Sequence, residues 1–208
     1  IALVTFLALA ILEIIAYYGF FRDIPIFFSR FGYYIIFLII SIVLTGTSIW
    51  HIKAYGNSFS CMSGMMVGMT IGMISGFLIG ALVGATNGMF IGSVTGIVVG
   101  MLTGMWLGKC CGIMGTMEGM MAGFMGGLMG AMTSLMMLND NLKLIIPIIV
   151  LASSIILVGL DYMIYKEIAN IKEKVNKYGF LPFVISCLII TTGITFLMVY
   201  GPKSLLLQ

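Results

Sequence analysis

Long apolar stretches, separated by short polar connections, follow one another along the whole chain. Each stretch has the roughly 20 apolar residues that an α-helix needs to cross the hydrocarbon core of a bilayer. The pattern therefore predicts an all-α, polytopic integral membrane protein with about seven transmembrane helices. The predicted spans cover about residues 1–20, 31–50, 61–84, 88–108, 113–138, 144–165 and 180–200.

The polar connections divide the predicted spans into three groups. These are residues 1–60, with two N-terminal transmembrane helices and interfacial loops; residues 61–138, a core of three helices rich in glycine and methionine; and residues 139–208, with two C-terminal helices and a charged loop at 166–179. Within the core, residues 85–88 and 109–112 are the most polar points, so we place its two turns there.

Glycine defines the central segment. It occupies every fourth position from Gly64 to Gly112, and the register then slips by one residue to Gly115. Small residues four apart form a groove that lets two helix backbones approach closely. We therefore predict a glycine-zipper (GxxxG repeat) core of three helices with their backbones in near contact. The predicted packing positions are Gly64, Gly68, Gly72, Gly76, Gly80, Gly92, Gly96, Gly100, Gly104, Gly115, Gly119, Gly123 and Gly127.

A spacing of four does not keep these glycines on one side of a straight helix. Each residue turns an α-helix by about 100°, so four residues overshoot a full turn by about 40°. Over one span, the glycine stripe therefore winds around the helix. We expect each stripe to serve at least two neighbouring helices, or the helices to cross at a steep angle.

Composition excludes a soluble protein. Of the 208 residues, 61% are hydrophobic and 8% are charged, and the mean hydropathy is +1.20, whereas soluble domains carry about 25% charged residues. The net charge of +3 is small and scattered, so the lipid bilayer is an expected partner and nucleic acid is not. The sequence has one histidine, no phosphate-binding loop and no HExxH motif, and we do not expect an enzyme.

Basic residues predict the orientation in the cell membrane. The connections after spans two, four and six carry more lysine and arginine than those on the opposite side. The positive-inside rule therefore places these three connections in the cytoplasm. The basic residues on that side are Lys53, Lys109, Lys166, Lys172, Lys174 and Lys177.

Sulfur is concentrated in the core. All but two of the 19 methionines lie between residues 62 and 137, and the alternating spans bring many of them to the cytoplasmic half together with three cysteines. Thioether and thiolate sulfur are soft ligands that select Cu(I), and an intramembrane carboxylate would offset the charge of the ion. The candidate metal ligands are Met62, Met66, Met69, Met73, Met101, Met105, Met114, Met121, Met125, Cys61, Cys110, Cys111 and Glu118.

Three short elements resemble copper-uptake proteins of the Ctr family, which combine an M-x-x-x-M helix with a G-x-x-x-G helix. These elements are Met62-x-x-x-Met66, Met101-x-x-x-Met105 and Met121-x-x-x-Met125. The resemblance is local and implies similar chemistry, with Cu(I) held by methionine. It does not imply family membership, because Ctr chains have three spans and assemble as trimers.

Two functions are open from the sequence. The first is transport or delivery of Cu(I) or another soft metal ion through the methionine and cysteine ligands. The alternative is a non-catalytic structural or assembly subunit of a larger membrane complex, which packs through glycine-zipper helices against other membrane subunits or against itself. In that case the methionines only fill irregular gaps, as their flexible side chains do in protein cores.

Overall fold

A computed structural model describes residues 32–55, 61–137, 142–168 and 180–201. The described residues are helical almost throughout and contain no strand. A short 3-10 turn, Lys109–Cys111, joins the third helix to the fourth. The α-helices are α1 (Gly32–Tyr55), α2 (Cys61–Asn87), α3 (Met89–Gly108), α4 (Gly112–Met136), α5 (Leu142–Ile168) and α6 (Phe180–Tyr200).

Five of these helices, α1 to α5, are long and apolar enough to cross a membrane. They correspond to the second to sixth predicted spans. The seventh predicted span overlaps α6, whose described apolar stretch, Ile185–Val199, is shorter. The first predicted span lies outside the described residues. The structure is thus that of an all-helical, multi-pass membrane protein.

The first turn of the core is shorter than the sequence predicts. Helix α2 continues through Asn87, and only Gly88 separates it from α3. Gly88 has φ 102° and ψ 171°, a conformation that essentially only glycine adopts. Asn87 is buried, and its side chain donates a hydrogen bond of 2.7 Å from Nδ2 to the carbonyl oxygen of Leu197 on α6. Its Oδ1 is buried without a hydrogen-bond partner among the described residues.

Helices α2 and α3 form an antiparallel pair in which glycine faces glycine. A methyl group placed on Gly68 would lie 3.1 Å from Cα of Gly108, and one on Gly72 would lie 3.0 Å from Cα of Gly104. In each pair, the two residues are equally distant from Gly88 along the chain. The four-residue repeat and the one-residue turn together therefore set the register.

Helices α3 and α4 repeat this arrangement around the second turn. A methyl group on Gly100 would lie 2.7 Å from the carbonyl oxygen of Gly123, and Gly104 and Gly108 contact Gly119 and Gly115 in the same way. The midpoint of these pairs falls between Cys111 and Gly112 rather than on a residue. The one-residue slip in the glycine repeat is therefore what keeps glycine opposite glycine after this turn.

Helix α4 also packs in parallel against α2. Methyl groups on Gly76 and Gly80 would lie 2.9 Å and 2.7 Å from the carbonyl oxygens of Gly123 and Gly127. The same α2 glycines also border α3, since a methyl group on Gly76 would lie 3.1 Å from the Gly96 carbonyl oxygen. The glycine stripe of α2 thus contacts both α3 and α4, as expected for a four-residue repeat that winds around the helix.

The opposite face of α2 is aliphatic and buried. Its residues near the start of the helix, such as Val67 and Ile71, belong to one apolar cluster with residues of α5, and those near its end, such as Leu82, belong to another with residues of α1 and α6. Helix α2 is therefore the central helix of the described structure, with glycine towards α3 and α4 and larger side chains towards α1, α5 and α6.

Replacing Gly100 by alanine tests the close approach of the backbones. The added methyl group would meet the Gly123 carbonyl, so we expect Gly100→Ala to lower the free energy of unfolding by about 1–3 kcal/mol, as overpacking does in other tight cores. Thermal unfolding of the detergent-solubilised protein measures the effect.

Gly159→Ala on α5 is the matched control, because nothing lies within 4 Å of a methyl group at that position. We expect this variant to unfold at the wild-type temperature or slightly above it, since alanine favours helix over glycine. Equal behaviour of the two variants would contradict the described packing of α3 against α4.

Candidate functional site

The start of α2, the end of α3 and the start of α4 meet at one end of the core, which we call the sulfur end. Cys111 Sγ contacts the carbonyl oxygen of Cys61 at 2.8 Å, and Cys61 Sγ contacts the carbonyl oxygen of Cys111 at 3.9 Å. Two cysteines 50 residues apart thus lie side by side, without a disulfide between them. Cys110 belongs to the connecting 3-10 turn, but its side chain lies outside what the structure describes.

The predicted methionine ligands of α2 and α4 point outward, away from the glycine contacts. On α2, the exposed fraction runs from 42% at Met69 and Met73 to 76% at Met62. The methionines of α4 are similarly exposed, Met121 at 69%. We call this surface the methionine face; it consists of Met62, Met66, Met69 and Met73 on α2 and Met114, Met117, Met121, Met125, Met129, Met132 and Met136 on α4.

The two rows of the methionine face border each other. A methyl group on Gly126 of α4 would meet the backbone carbonyl of Met73 on α2. Met125 and Met129, one residue before and three residues after Gly126, are both exposed beside this contact. The surface therefore extends across the groove between α2 and α4 rather than lying on two separate sides of the molecule.

The remaining predicted ligands are not part of this face. Met101 and Met105 on α3 are partly buried, and Met105 lines a cleft that α3 forms with α1 and α6. Glu118 is partly buried on α4. Among the residues that the structure describes, no three His, Cys, Asp or Glu side chains lie close enough together to hold a metal ion. The predicted binding of Cu(I) therefore stays a prediction.

Exposed methionine is concentrated on α2 and α4 and is not found on the described surfaces of α5 and α6. The exposed large side chains of α5 and α6 are aliphatic or aromatic, for example Leu151, Ile155 and Ile189. The two methionines of these helices behave differently, since Met198 is fully buried and Met163 partly so. Contact with lipid alone therefore does not account for the methionines on α2 and α4.

Part of the glycine packing was missing from the sequence prediction. Gly84 and Gly108 also contact neighbouring backbones, and Gly126 and Gly130 form a second stripe on α4 against the carbonyls of Met73 and Phe77. The signal for this second stripe was the pair of extra glycines that interrupts the regular repeat. Gly64, which was among the predicted positions, is buried at the start of α2.

A polar cluster between α1 and α5 was also missing from the prediction. Ser48 Oγ lies 3.3 Å from Asp161 Oδ2 and donates a hydrogen bond to it, and His51, one turn further along α1, interacts electrostatically with Asp161. The second oxygen, Oδ1, is buried without a hydrogen-bond partner among the described residues. The sequence signal was two polar residues three positions apart on α1, which places them on one helix face.

A cleft of about 800 Å³ lies between α1, α3 and α6, with α2 as its floor. Aliphatic side chains form most of its walls, among them Ile42, Ile79 and Leu102. Lys109, Trp50 and Trp106 line the part nearest the sulfur end. This cleft is separate from the methionine face, because it lies on the other side of α3.

No protein-family model, curated protein or solved structure matches this chain. A function for the described surfaces therefore has to be argued from their geometry and chemistry.

Proposed function

We propose that this chain is a non-catalytic assembly subunit of the membrane, in which a glycine-zipper core of three helices holds the methionine face against a transmembrane helix of another subunit or of a second copy. The observation that carries the proposal is the contrast between outer surfaces. The surface of α2 and α4 is rich in methionine, whereas the exposed large side chains of α5 and α6 are aliphatic or aromatic.

The chemistry of methionine supports a contact with protein. Its unbranched, polarizable side chain adapts to irregular neighbours and is frequent on surfaces that bind several partners. Within a bilayer, helix association depends on van der Waals packing rather than on the hydrophobic effect, because lipid tails are as apolar as the side chains. Flexible side chains on a rigid backbone can therefore make many van der Waals contacts with a partner helix.

The rigidity of the support follows from the core. Backbone carbonyls such as that of Gly123 lie against glycine Cα atoms of both neighbouring helices. Such close approach of carbonyls to glycine permits contacts of the Cα–H···O type, which each contribute about 0.5–1 kcal/mol. We infer that the methionines of α2 and α4 stand on a backbone that these contacts hold in place.

Obstructing the methionine face should break up the assembly. We expect Met121→Trp with Met125→Trp to weaken association about tenfold or more, since a clash of about 1–3 kcal/mol changes an equilibrium constant by roughly that amount. Size-exclusion chromatography with light scattering, on protein extracted gently from its own membrane, measures the size of the complex.

The control variant is Ile148→Trp with Ile155→Trp, which adds the same bulk to exposed positions of α5. It should leave the complex intact. A wild-type protein that elutes as a monomer, or two variants that dissociate equally, would contradict the proposed interface.

A second candidate function, binding and delivery of Cu(I) or another soft metal ion, is favoured by one observation. Cys61 and Cys111 come together at the sulfur end from distant positions in the sequence. Met62 follows Cys61 directly and Met114 lies three residues after Cys111. Two thiolates with nearby thioethers are a ligand set that selects Cu(I) over hard cations.

Cysteine replacement tests this second candidate. After loading with Cu(I) under reducing conditions and thorough washing, we expect the wild-type protein to retain about one copper ion per chain by elemental mass spectrometry. Cys61→Ser with Cys111→Ser should lower retention at least tenfold, because soft sulfur ligands are removed. Cys187→Ser, which changes a buried cysteine on α6, is the control and should retain copper. Absence of bound copper in the wild type, or equal loss in both variants, would rule against the site.

A further inference from the structure

We propose that the cleft between α1, α3 and α6 is a binding site for one anionic glycerophospholipid, with an acyl chain along its walls and the headgroup phosphate beside Lys109. This site is independent of the methionine face, and the proposal does not rest on the assembly function.

The walls of the cleft fit a hydrocarbon chain. Most of the lining is aliphatic, and three of its four hydroxyl side chains, those of Thr45, Ser75 and Thr103, are already hydrogen-bonded within the protein. Ser75 Oγ and Thr103 Oγ1 are 2.7 Å apart, and Thr45 Oγ1 donates to the carbonyl oxygen of Ser41 at 2.9 Å. An acyl chain in the cleft would therefore contact few polar groups that lack a hydrogen-bond partner.

The end of the cleft near the sulfur end has a different character. Lys109, in the turn between α3 and α4, is exposed and places a positive charge there. Trp50 and Trp106 lie beside it in the lining, and tryptophan is enriched where helices leave the hydrocarbon for the headgroup region. The cleft thus has apolar walls and one cationic end.

Size and charge together select an anionic lipid. The volume of about 800 Å³ lies within the range of about 300–1,000 Å³ that is typical of small-molecule sites. Basic pockets between transmembrane helices are a known mode of binding for anionic headgroups. A zwitterionic lipid offers the same acyl chains but a cationic group that Lys109 would repel.

Native mass spectrometry tests the proposal on the full-length protein in detergent, with phosphatidylglycerol or phosphatidylcholine added at equal concentration. We expect one phosphatidylglycerol per chain to be retained at least tenfold more than phosphatidylcholine. Lys109→Gln should remove this preference, whereas Lys166→Gln, which removes an exposed charge from the corresponding end of α5, should preserve it.

A second pair of variants tests the cleft itself. Leu102→Trp fills space in the lining, whereas Val98→Trp adds the same side chain to an exposed position of α3 outside the lining. We expect Leu102→Trp to abolish retention of the lipid and Val98→Trp to leave it unchanged.

Three results would overturn the proposal: equal retention of the two lipids, equal behaviour of Lys109→Gln and Lys166→Gln, or no lipid retained by the wild type. The last result would indicate that another part of the same chain fills the cleft.

Discussion

The described structure depends on the close approach of three helix backbones, which only glycine permits. At most of the glycines where α2, α3 and α4 meet, an added Cβ atom would collide with the backbone of the neighbouring helix. Close approach stabilises helix association in a bilayer, where the hydrophobic effect does not drive helices together. Van der Waals contacts and weak Cα–H···O bonds stabilise the association there instead. The cost of glycine in a helix, about 1 kcal/mol relative to alanine in water, is tolerated because the backbone has no better partner in lipid than itself.

This constraint also determines where the larger side chains lie. With glycine at the shared interface, the methionines of α2 and α4 remain on the outside, where they form one surface across the groove between the two helices. On α2, the aliphatic side chains occupy the remaining face and join the clusters formed with α1, α5 and α6. The methionine face, the paired cysteines and the end of the α1–α3–α6 cleft near Lys109 all depend on the register of the same two turns.

The sequence pattern predicted the positions of most helices and of the turns in the core. The contacts between particular side chains could be seen only in the structure. The apolar lengths predicted α1 to α5, and the most polar points of the core placed both of its turns. The polarity of residues 85–87 indicated a longer first turn, but these residues are helical and buried in the structure. The spacing of Met62 to Met73 placed them on one helix face but left open whether that face lies inward or outward. The hydrogen bond from Ser48 of α1 to Asp161 of α5 joins two helices that are far apart in the sequence, so residue spacing does not reveal it.

The register of α2 against α3 is tested most directly by a disulfide between them. In a chain whose native cysteines are replaced by serine, Ser75→Cys with Thr103→Cys places two thiols where the native hydroxyls are 2.7 Å apart. Thr95→Cys is the control partner for Ser75→Cys, because it lies eight residues, or about 12 Å, nearer the start of α3 than Thr103. After mild oxidation in membranes, mass spectrometry of the digested protein should find the disulfide between positions 75 and 103 within one chain, and little or none between 75 and 95. A disulfide between 75 and 95 in preference to 75 and 103, or none at either pair, would contradict the antiparallel register of α2 and α3 on which the account depends.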